Sequence, residues 1–249
     1  MEELQKLVVY CPDKSKEKEA LALSERLQLP LTTQPGPELS LKLEEDGLSL
    51  MGYGLSYRGD FMQMLSRISK GRLGQEMLVH MAKTKNPNPK AADCTAGMGE
   101  DSFLLAAQGY EVTLFERNPV IGALLRDALD RAGREPQLQE IVARMHLIEG
   151  DSVELLREQN IDYDLVYLDP MFPARKKSGL IQKKLQLLQK LEQPCMDEAV
   201  LMEAAIAAAP KRIVVKRPLK GSYLAGRKPS YSSKGKAIRY DCYLGDRSL

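Results

Sequence analysis

The chain has 249 residues, of which 43% are hydrophobic and 28% are charged, so it can bury a substantial core under a polar surface. No apolar run is long enough to span a bilayer and the first twenty residues lack a signal-peptide pattern, so we expect a cytoplasmic protein. The four cysteines form no C-x-x-C pair and only two histidines are present. These counts argue against a disulfide framework, a zinc site or a histidine-based catalytic triad, and we expect no metal.

The net charge is +2 over the whole chain, but it is unevenly distributed. Residues 171–249 carry 17 Lys and Arg against 6 Asp and Glu, a net charge of +11, whereas the remainder carries 19 against 28, a net charge of −9. This division predicts that one surface meets a polyanion such as a nucleic acid. Charge by itself is equally compatible with an ordinary solvated surface, so the prediction depends on the motifs.

Residues 1–60 are predicted to form a small α/β accessory unit. A strand over KLVVYC precedes a helix from Ser15 to Leu27, for which Ser15 is a candidate N-cap. Two alternating runs then flank Asp46 and Gly47, a pattern typical of a β-hairpin because glycine readily adopts the positive φ of such turns. No catalytic pattern appears in this unit.

The remaining residues, 61–249, are predicted to form a second domain. Residues 61–90 are expected to be helical as far as the two prolines of NPNPK. Strands then alternate with helices, and helical stretches at Ser178–Leu191 and Ala199–Ala209 precede another strand, KRIVVKRP. Such alternation is typical of an α/β fold in which a mostly parallel, Rossmann-like sheet carries helices on both faces. The segment 220–236, rich in Gly, Ser, Lys and Arg, is expected to be a mobile loop.

A glycine-rich loop, DCTAGMGED, follows the first strand of this alternation. Gly97 and Gly99 remove side chains where the backbone must approach a ligand closely. In doubly wound sheets, ligands bind outside the carboxyl ends of the strands, which is where this loop belongs. Ser102 occupies the third glycine position of a dinucleotide fingerprint, which disfavours a dehydrogenase. Three carboxylates would repel a pyrophosphate and attract a ligand with a sulfonium and an ammonium group: Asp93, Glu100 and Asp101.

The next two strands of the alternation also end in polar residues. Glu116 ends the strand EVTLFE, where a carboxylate can accept hydrogen bonds from both ribose hydroxyls of a nucleoside, and Arg117 can border the same pocket. Asp151 and Ser152 follow the strand HLIEG, where a short polar side chain can read an adenine edge or cap a helix. These positions indicate a ligand that contains a nucleoside.

The most informative segment is D-P-M-F-P, after the apolar strand LVYL. An exocyclic amine on a base is a poor nucleophile because its lone pair is delocalised into the ring. Asp169 and the carbonyl of Pro170 can accept its two N–H groups, which localises the lone pair and favours loss of the proton as a methyl group arrives. Phe172 can stack on a base taken out of its helix. We interpret these three residues as catalytic.

Basic residues follow this segment and recur at the end of the strand KRIVVKRP. At the rim of the site they can contact phosphates and position RNA without reading its sequence. A solvated helix or loop would have the same composition. The candidate RNA-binding residues are Arg175, Lys176, Lys177, Lys183, Lys184, Lys216 and Arg217.

The order of these motifs resembles that of the class I methyltransferases that use S-adenosylmethionine. Four segments, DCTAGMGED, FERNPV, YLDPMFP with its basic run, and VVKRP, are more closely similar to the RsmJ family. The resemblance covers Ala91 to Pro218. It implies a Rossmann-like fold, S-adenosylmethionine as cofactor, and methylation of the exocyclic N2 amine of a guanine in 16S ribosomal RNA of the small subunit. It also implies cofactor contacts at Glu100, Asp101, Glu116, Arg117, Asp151, Ser152 and Asp169.

The chain departs from the pattern expected of this family at two positions. Glu100 stands where a basic residue is expected, and Asp151 where a serine is expected. Met171 replaces the second proline of the commoner Asp-Pro-Pro-aromatic tetrad, and methionine is the residue expected in the RsmJ family. Two other functions fit the motifs: an adenine amino-methyltransferase acting on DNA or RNA, and an RNA-binding protein without catalytic activity. Base analysis of the product identifies the first, and failure to bind S-adenosylmethionine identifies the second.

Overall fold

Two β-sheets organise the chain, and helices pack against both of them. The computed structural model describes residues 7–159, 161–170, 187–188, 190–191 and 197–245. The strands are β1 (Leu7–Tyr10), β2 (Leu31–Thr32), β3 (Leu39–Glu44), β4 (Gly47–Gly52), β5 (Leu55–Tyr57), β6 (Lys90–Asp93), β7 (Glu111–Glu116), β8 (Met145–Glu149), β9 (Leu165–Leu168), β10 (Arg212–Pro218), β11 (Tyr231–Lys234) and β12 (Ile238–Leu244).

Eight α-helices have both ends within these described ranges, and none of them is long and apolar enough to cross a membrane. They are α1 (Glu17–Leu27), α2 (Leu65–Ile68), α3 (Met77–Met81), α4 (Glu100–Ala107), α5 (Pro119–Ala132), α6 (Gln139–Val142), α7 (Ser152–Glu158) and α8 (Glu198–Ala207). The helix predicted at Ala199–Ala209 is therefore confirmed as α8. The helix predicted from Ser15 also forms, but Asp13 is the capping residue, because its carboxylate accepts the Ser15 backbone N–H at 2.8 Å in the turn that leads into α1.

The first sheet is formed by strands from the N-terminal part of the chain, in the order β2-β1-β3-β4-β5. β1 pairs in parallel with β2 and β3, and the other neighbours are antiparallel. The predicted hairpin is confirmed, with Glu44 opposite Gly47 at the end of the β3–β4 ladder. The two-residue turn is Glu45 and Asp46, and Gly47, with a φ of 124°, begins β4.

The second sheet has the architecture that the alternation of strands and helices predicts. Its order is β11-β12-β10-β9-β6-β7-β8, and the five strands from β10 to β8 run parallel. β12 and β11 extend it antiparallel at one edge. Val214 of β10 packs in one buried cluster with α3 and α4, whereas Ile213 and Val215 pack in another with α7 and α8. Helices therefore cover both faces, which confirms the Rossmann-like α/β prediction.

Helix α5 packs against both sheets. Val120, Ile121 and Leu124 lie in the buried cluster of the first sheet. Leu125 and Ala128 lie in a buried cluster of the second sheet. The boundary that we predict at residue 60 therefore divides the chain by sheet, while the two units share one helix.

Two predictions outside the parallel strands are wrong. Residues 61–90 are not continuously helical, because short helical pieces are interrupted near Gly71, whose φ of 83° is incompatible with a helix. The segment 220–236 is not a loop throughout, because Tyr231–Lys234 forms β11 against β12. Its serine-rich sequence carries no strand pattern, and the pairing supplies the structure. The helix predicted at Ser178–Leu191 lies mostly outside the described residues, and the four of its residues that are described, Leu187, Leu188, Lys190 and Leu191, are helical.

A buried ion pair fixes the chain beyond the end of β10. The guanidinium of Arg239, on β12, bonds to the fully buried Asp241 carboxylate at 2.9 Å. It also donates to the backbone carbonyls of Pro218, Leu219 and Gly221 at 2.8–3.1 Å. One side chain thus satisfies several carbonyls that the strand ladder leaves unpaired.

Replacing Arg239 by Met is expected to lower the free energy of unfolding by about 3–5 kcal/mol, because it leaves the Asp241 carboxylate buried without its cation. Chemical denaturation measures this loss. Adding Asp241→Asn should recover part of it, since the uncompensated charge is removed. As a control, Lys16→Met breaks an exposed pair with Glu19 and should cost less than about 1 kcal/mol. Equal losses for the two single variants would contradict the assignment.

Candidate active site

The carboxyl ends of the five parallel strands meet at one edge of the second sheet. Because parallel strands point the same way, the residues that end or follow them are brought together there. This edge collects polar residues from each strand or from the turn that follows it: Asp93 from β6, Glu116 from β7, Asp151 from β8, Asp169 from β9 and Lys216 from β10.

Asp93 is buried beneath the glycine-rich loop and is only 1% exposed. Its carboxylate accepts the Ser102 hydroxyl at 2.6 Å and the Thr95 backbone N–H at 3.1 Å. Burial raises the pKa of Asp93 to about 7, against the opposing effect of these hydrogen bonds. Asp93 therefore joins the two ends of the loop and shapes it from below.

The two glycines of the loop have different structural roles. Both have positive φ, 53° at Gly97 and 74° at Gly99. A side chain at Gly97 would meet no atom within 4 Å, so the space beside it is open. A Cβ at Gly99 would lie 2.9 Å from the Leu125 side chain of α5. Gly97 therefore leaves room for a ligand, whereas Gly99 allows the loop to pack on a helix.

Glu116 ends β7 in a buried position, 7% exposed. One carboxylate oxygen accepts the Gly97 N–H at 2.8 Å, and the other accepts the Asn118 N–H at 2.7 Å. Burial raises the pKa of Glu116, and these two N–H groups oppose the shift. The carboxylate keeps further lone pairs for a ligand, since each oxygen can accept two hydrogen bonds. Arg117 follows it in an exposed position.

Asp151 and Ser152 act as helix-capping and buried groups. The Asp151 carboxylate accepts the Val153 backbone N–H at 2.8 Å and caps α7. Ser152 is 6% exposed. The sequence allows either contact with an adenine edge or helix capping at this position, and the structure shows Asp151 in the capping role. Contact of these residues with a nucleoside stays a prediction.

Lys216 bridges two carboxylates that are distant in sequence. Its ammonium lies 2.8 Å from Asp101 of α4 and 2.9 Å from Asp169, which follows β9. The Tyr167 hydroxyl also donates to Asp101, at 2.6 Å. The Asp169 backbone N–H donates to the Thr95 hydroxyl at 2.7 Å, which ties this residue to the glycine-rich loop. The candidate acceptor group is therefore held from two sides.

The pKa values of Asp169 and Lys216 are both raised, but for different physical reasons. Burial raises the pKa of Asp169, and the Lys216 ammonium opposes that shift. Burial would lower the pKa of Lys216, but Asp101 and Asp169 outweigh it and raise that pKa above its usual value. Lys216 therefore stays protonated and favours the ionised form of Asp169.

Lys216 and Arg217, which the sequence suggests as RNA contacts, are engaged inside the protein. The Arg217 side chain is 2% exposed, and its guanidinium bonds to Glu198 at 2.9 Å and to the Ser222 carbonyl at 2.9 Å. We therefore leave these two residues out of the RNA surface. Only one feature of the sequence could have predicted the structural roles of Lys216 and Thr95: each lies at the end of a strand.

Six candidate residues lie outside the described residues: Phe172, Arg175, Lys176, Lys177, Lys183 and Lys184. Within the described ranges, no group of three or more His, Cys, Asp or Glu side chains is arranged to hold a metal ion. Among the described residues, this edge of the sheet presents carboxylates, backbone groups and the Lys216 ammonium.

Comparison with known proteins places this arrangement in a family. The family described as "Putative SAM-dependent methyltransferase" matches residues 22–245. A crystal structure of a SAM-dependent methyltransferase from Neisseria gonorrhoeae superposes with a TM-score of 0.76 at 31% identity, covering 98% of this chain and 97% of that one.

Curated relatives give the family a narrower name. "Ribosomal RNA small subunit methyltransferase J" of Pseudomonas aeruginosa strain UCBPP-PA14 is 42% identical over 228 residues, covering 88% of this chain and 87% of the relative. The protein of that name from Thioalkalivibrio sulfidiphilus is 40% identical over 235 residues, covering 90% and 92%. The chain therefore belongs to the ribosomal RNA small subunit methyltransferase J family of S-adenosylmethionine-dependent methyltransferases.

Proposed function

We propose that the chain transfers a methyl group from S-adenosylmethionine to the exocyclic N2 amine of a guanine in 16S ribosomal RNA. The observation that carries the proposal is the position of Asp169, which follows β9 at the ligand-bearing edge of the sheet and is bonded to the glycine-rich loop through Thr95. The name shared by its relatives supports the small ribosomal subunit as the source of the RNA.

The residues at this edge fit S-adenosylmethionine. Glu116 presents a carboxylate fixed by two backbone N–H groups, which suits the two ribose hydroxyls. The open space beside Gly97 allows close approach to the backbone. Glu100, whose side chain is 61% exposed and lies 4.0 Å from the Arg67 guanidinium, can offer a negative charge to the ligand's cationic groups, whereas Asp101 is paired more closely with Lys216, at 2.8 Å. When bound, S-adenosylmethionine would supply an activated methyl group.

Asp169 has the geometry of a group that accepts a proton from an amine. The Lys216 ammonium forms an ion pair with the Oδ2 atom of Asp169. The Oδ1 atom of Asp169 makes no hydrogen bond within the part of the chain that the structure describes. Oδ1 and the Pro170 carbonyl can therefore accept the two N–H groups of the base. Accepting both localises the amine lone pair, and the carboxylate can take the proton that the methylated amine loses.

The remaining predictions about substrate and location form part of this proposal. Arg175, Lys176, Lys177, Lys183 and Lys184 follow Asp169 in the chain, and we retain them as phosphate contacts, with Phe172 as a base-stacking residue. We also retain the division of the chain into an accessory unit, residues 1–60, and a second domain, residues 61–249. The protein acts in the cytoplasm, because the bacterial ribosomal subunit that it modifies is found there.

Asp169→Asn is expected to lower kcat by about 10²–10⁴-fold, because the amide cannot take the proton from the amine. The measurement uses purified protein, radiolabelled S-adenosylmethionine and small ribosomal subunits from cells that lack the gene. Nucleoside analysis of the 16S RNA should give guanine methylated on N2 with the wild type. Asp162→Asn is the control, since Asp162 is an exposed carboxylate just before the same strand.

Each outcome of that measurement distinguishes one hypothesis. Label on adenine would replace the guanine assignment with the adenine alternative. Binding of S-adenosylmethionine without label on subunits or free RNA would contradict the ribosomal substrate. An Asp169→Asn variant as active as the Asp162→Asn control would remove Asp169 from the mechanism.

Glu116→Ala is expected to weaken S-adenosylmethionine binding by about 10–100-fold, because a buried carboxylate that accepts ligand hydroxyls contributes roughly 1.5–3 kcal/mol. Calorimetry measures the dissociation constant. Glu111→Gln, at the exposed start of the same strand, is the control and should bind as the wild type does. Affinity should also fall as the pH is lowered through the raised pKa of Glu116, because the neutral acid is a weaker acceptor. Unchanged affinity in Glu116→Ala would exclude this contact.

Lys216→Met is expected to move the acid limb of the kcat–pH profile to higher pH. The charged groups acting on Asp169 are Lys216 and Arg217 of β10 and Asp101 of α4. Removing the Lys216 ammonium leaves burial and Asp101 to raise the pKa of Asp169 further, so its ionised form appears only at higher pH. Lys216→Arg should restore most of the profile because it restores a cation.

The control for this prediction is a lysine at the opposite end of β10. Lys211, just before β10, pairs with the buried Asp164 at 2.6 Å, so Lys211→Met also breaks a lysine–carboxylate pair but leaves Asp169 untouched. Its pH profile should match that of the wild type. A uniform loss of kcat at every pH in Lys216→Met would indicate a structural role only.

A further inference from the structure

A basic segment connects β10 to β12 and carries no acidic residue. This segment, Leu219 to Ala237, is called here the basic strip. It contains five cationic side chains. All five are exposed, and none has an ion-pair partner among the described residues. They are Lys220, Arg227, Lys228, Lys234 and Lys236.

The cations next to the strip are used differently by the fold. Lys216, Arg217 and Arg239 are paired with carboxylates inside the protein. The fold therefore compensates the cations that it buries and leaves those of the strip uncompensated. A surface with this excess of one charge attracts polyanions.

Hydrogen bonds fix the backbone of the strip. The Gly221 carbonyl accepts from Arg239 at 2.8 Å, and the Ala225 N–H donates to Glu198 at 3.3 Å. The Arg227 carbonyl accepts the Tyr243 hydroxyl at 2.8 Å. The strip then continues into β11, which pairs with β12. Its cations are therefore displayed from a supported backbone, which reduces the entropy lost on binding.

Both ends of the strip lie at the edge of the sheet that carries Asp169. Pro218 and Ile238, which flank the strip, face each other in the β10–β12 register. Lys216, which is paired with Asp169, lies two residues before Pro218. Lys220 and Lys236 are each two residues from this register pair, a reach of at most about 7 Å along the chain.

Two aromatic residues alternate with these cations along the sequence of the strip. Tyr223 is 39% exposed and Tyr231 is 44% exposed. Aromatic rings interleaved with cations are typical of surfaces that bind single-stranded nucleic acid, because the rings stack on bases while the cations meet phosphates. This composition favours an RNA over an acidic protein as the partner.

We propose that the basic strip is a docking surface for the phosphates of the substrate RNA beside the methylation site. The inference rests on the proposed function and extends the RNA contacts to a part of the chain that the family motifs do not cover. The competing explanation is that Lys234 merely protects β11, an edge strand, from pairing with another molecule.

The test compares RNA binding by the full chain and by the variant Lys220→Gln/Lys234→Gln/Lys236→Gln. The probe is 16S ribosomal RNA transcribed in vitro, titrated at several salt concentrations. Loss of three phosphate contacts should lower the slope of log affinity against log salt by about 2 and weaken binding at 0.1 M salt by roughly 10–100-fold. The dissociation constant for S-adenosylmethionine should stay within about twofold, which shows that the variant is folded.

The matched control removes three exposed lysines at the opposite edge of the sheet, where β6 begins. It is Lys83→Gln/Lys85→Gln/Lys90→Gln, and it should bind RNA with the slope of the wild type. A second variant, Lys220→Gln/Lys236→Gln, leaves β11 unchanged and should retain most of the effect.

Three outcomes would overturn the inference. Equal weakening in the strip and control variants would show that only net charge matters. If the strip variants bound the RNA with wild-type affinity while the wild-type enzyme was active, the strip would not be an RNA-docking surface. Protection of the edge strand would then remain as the role of Lys234. A wild-type chain that binds S-adenosylmethionine but neither binds nor methylates the RNA would overturn the proposed function together with the strip.

Discussion

One ammonium group, that of Lys216, compensates the negative charge on the acceptor side of the site. Two carboxylates from different elements, Asp101 and Asp169, each lie within 3 Å of it. Burial disfavours the ionised form of Asp169, and a second carboxylate nearby disfavours it further. The cation reverses part of that effect. This ion pair forms only when β10 lies in register beside β9. The order of the strands therefore determines which charged groups meet at their ends.

The glycine-rich loop connects the two halves of this site. Its Gly97 N–H bonds to Glu116 on the nucleoside side, and its Thr95 hydroxyl bonds to the backbone of Asp169 on the acceptor side. Asp93 holds the loop from below through Ser102. In the proposed mechanism, one short stretch of backbone would therefore position both the cofactor and the acceptor base, and in-line transfer would depend on keeping their separation constant.

Local pattern was sufficient to predict the parallel sheet and the residues at its edge, because the ends of parallel strands always meet. It gave Glu116 a ligand-facing position without revealing its bond to Gly97. It could not predict that Lys216 and Arg217 face inward, since their partners, Asp169 and Glu198, come from other elements. Tertiary pairing decided these positions, as it did for β11.

Helix α5 begins three residues beyond Glu116, and its apolar residues enter the cores of both sheets. Val120 and Ile121, in its first turn, are buried against the first sheet, so the strands of the accessory unit help to set the point at which α5 starts. Removal of the accessory unit would therefore expose this apolar turn and loosen the strand end that we propose as the nucleoside contact. The small sheet thus acts on the methyltransferase site through α5, whatever else it contacts.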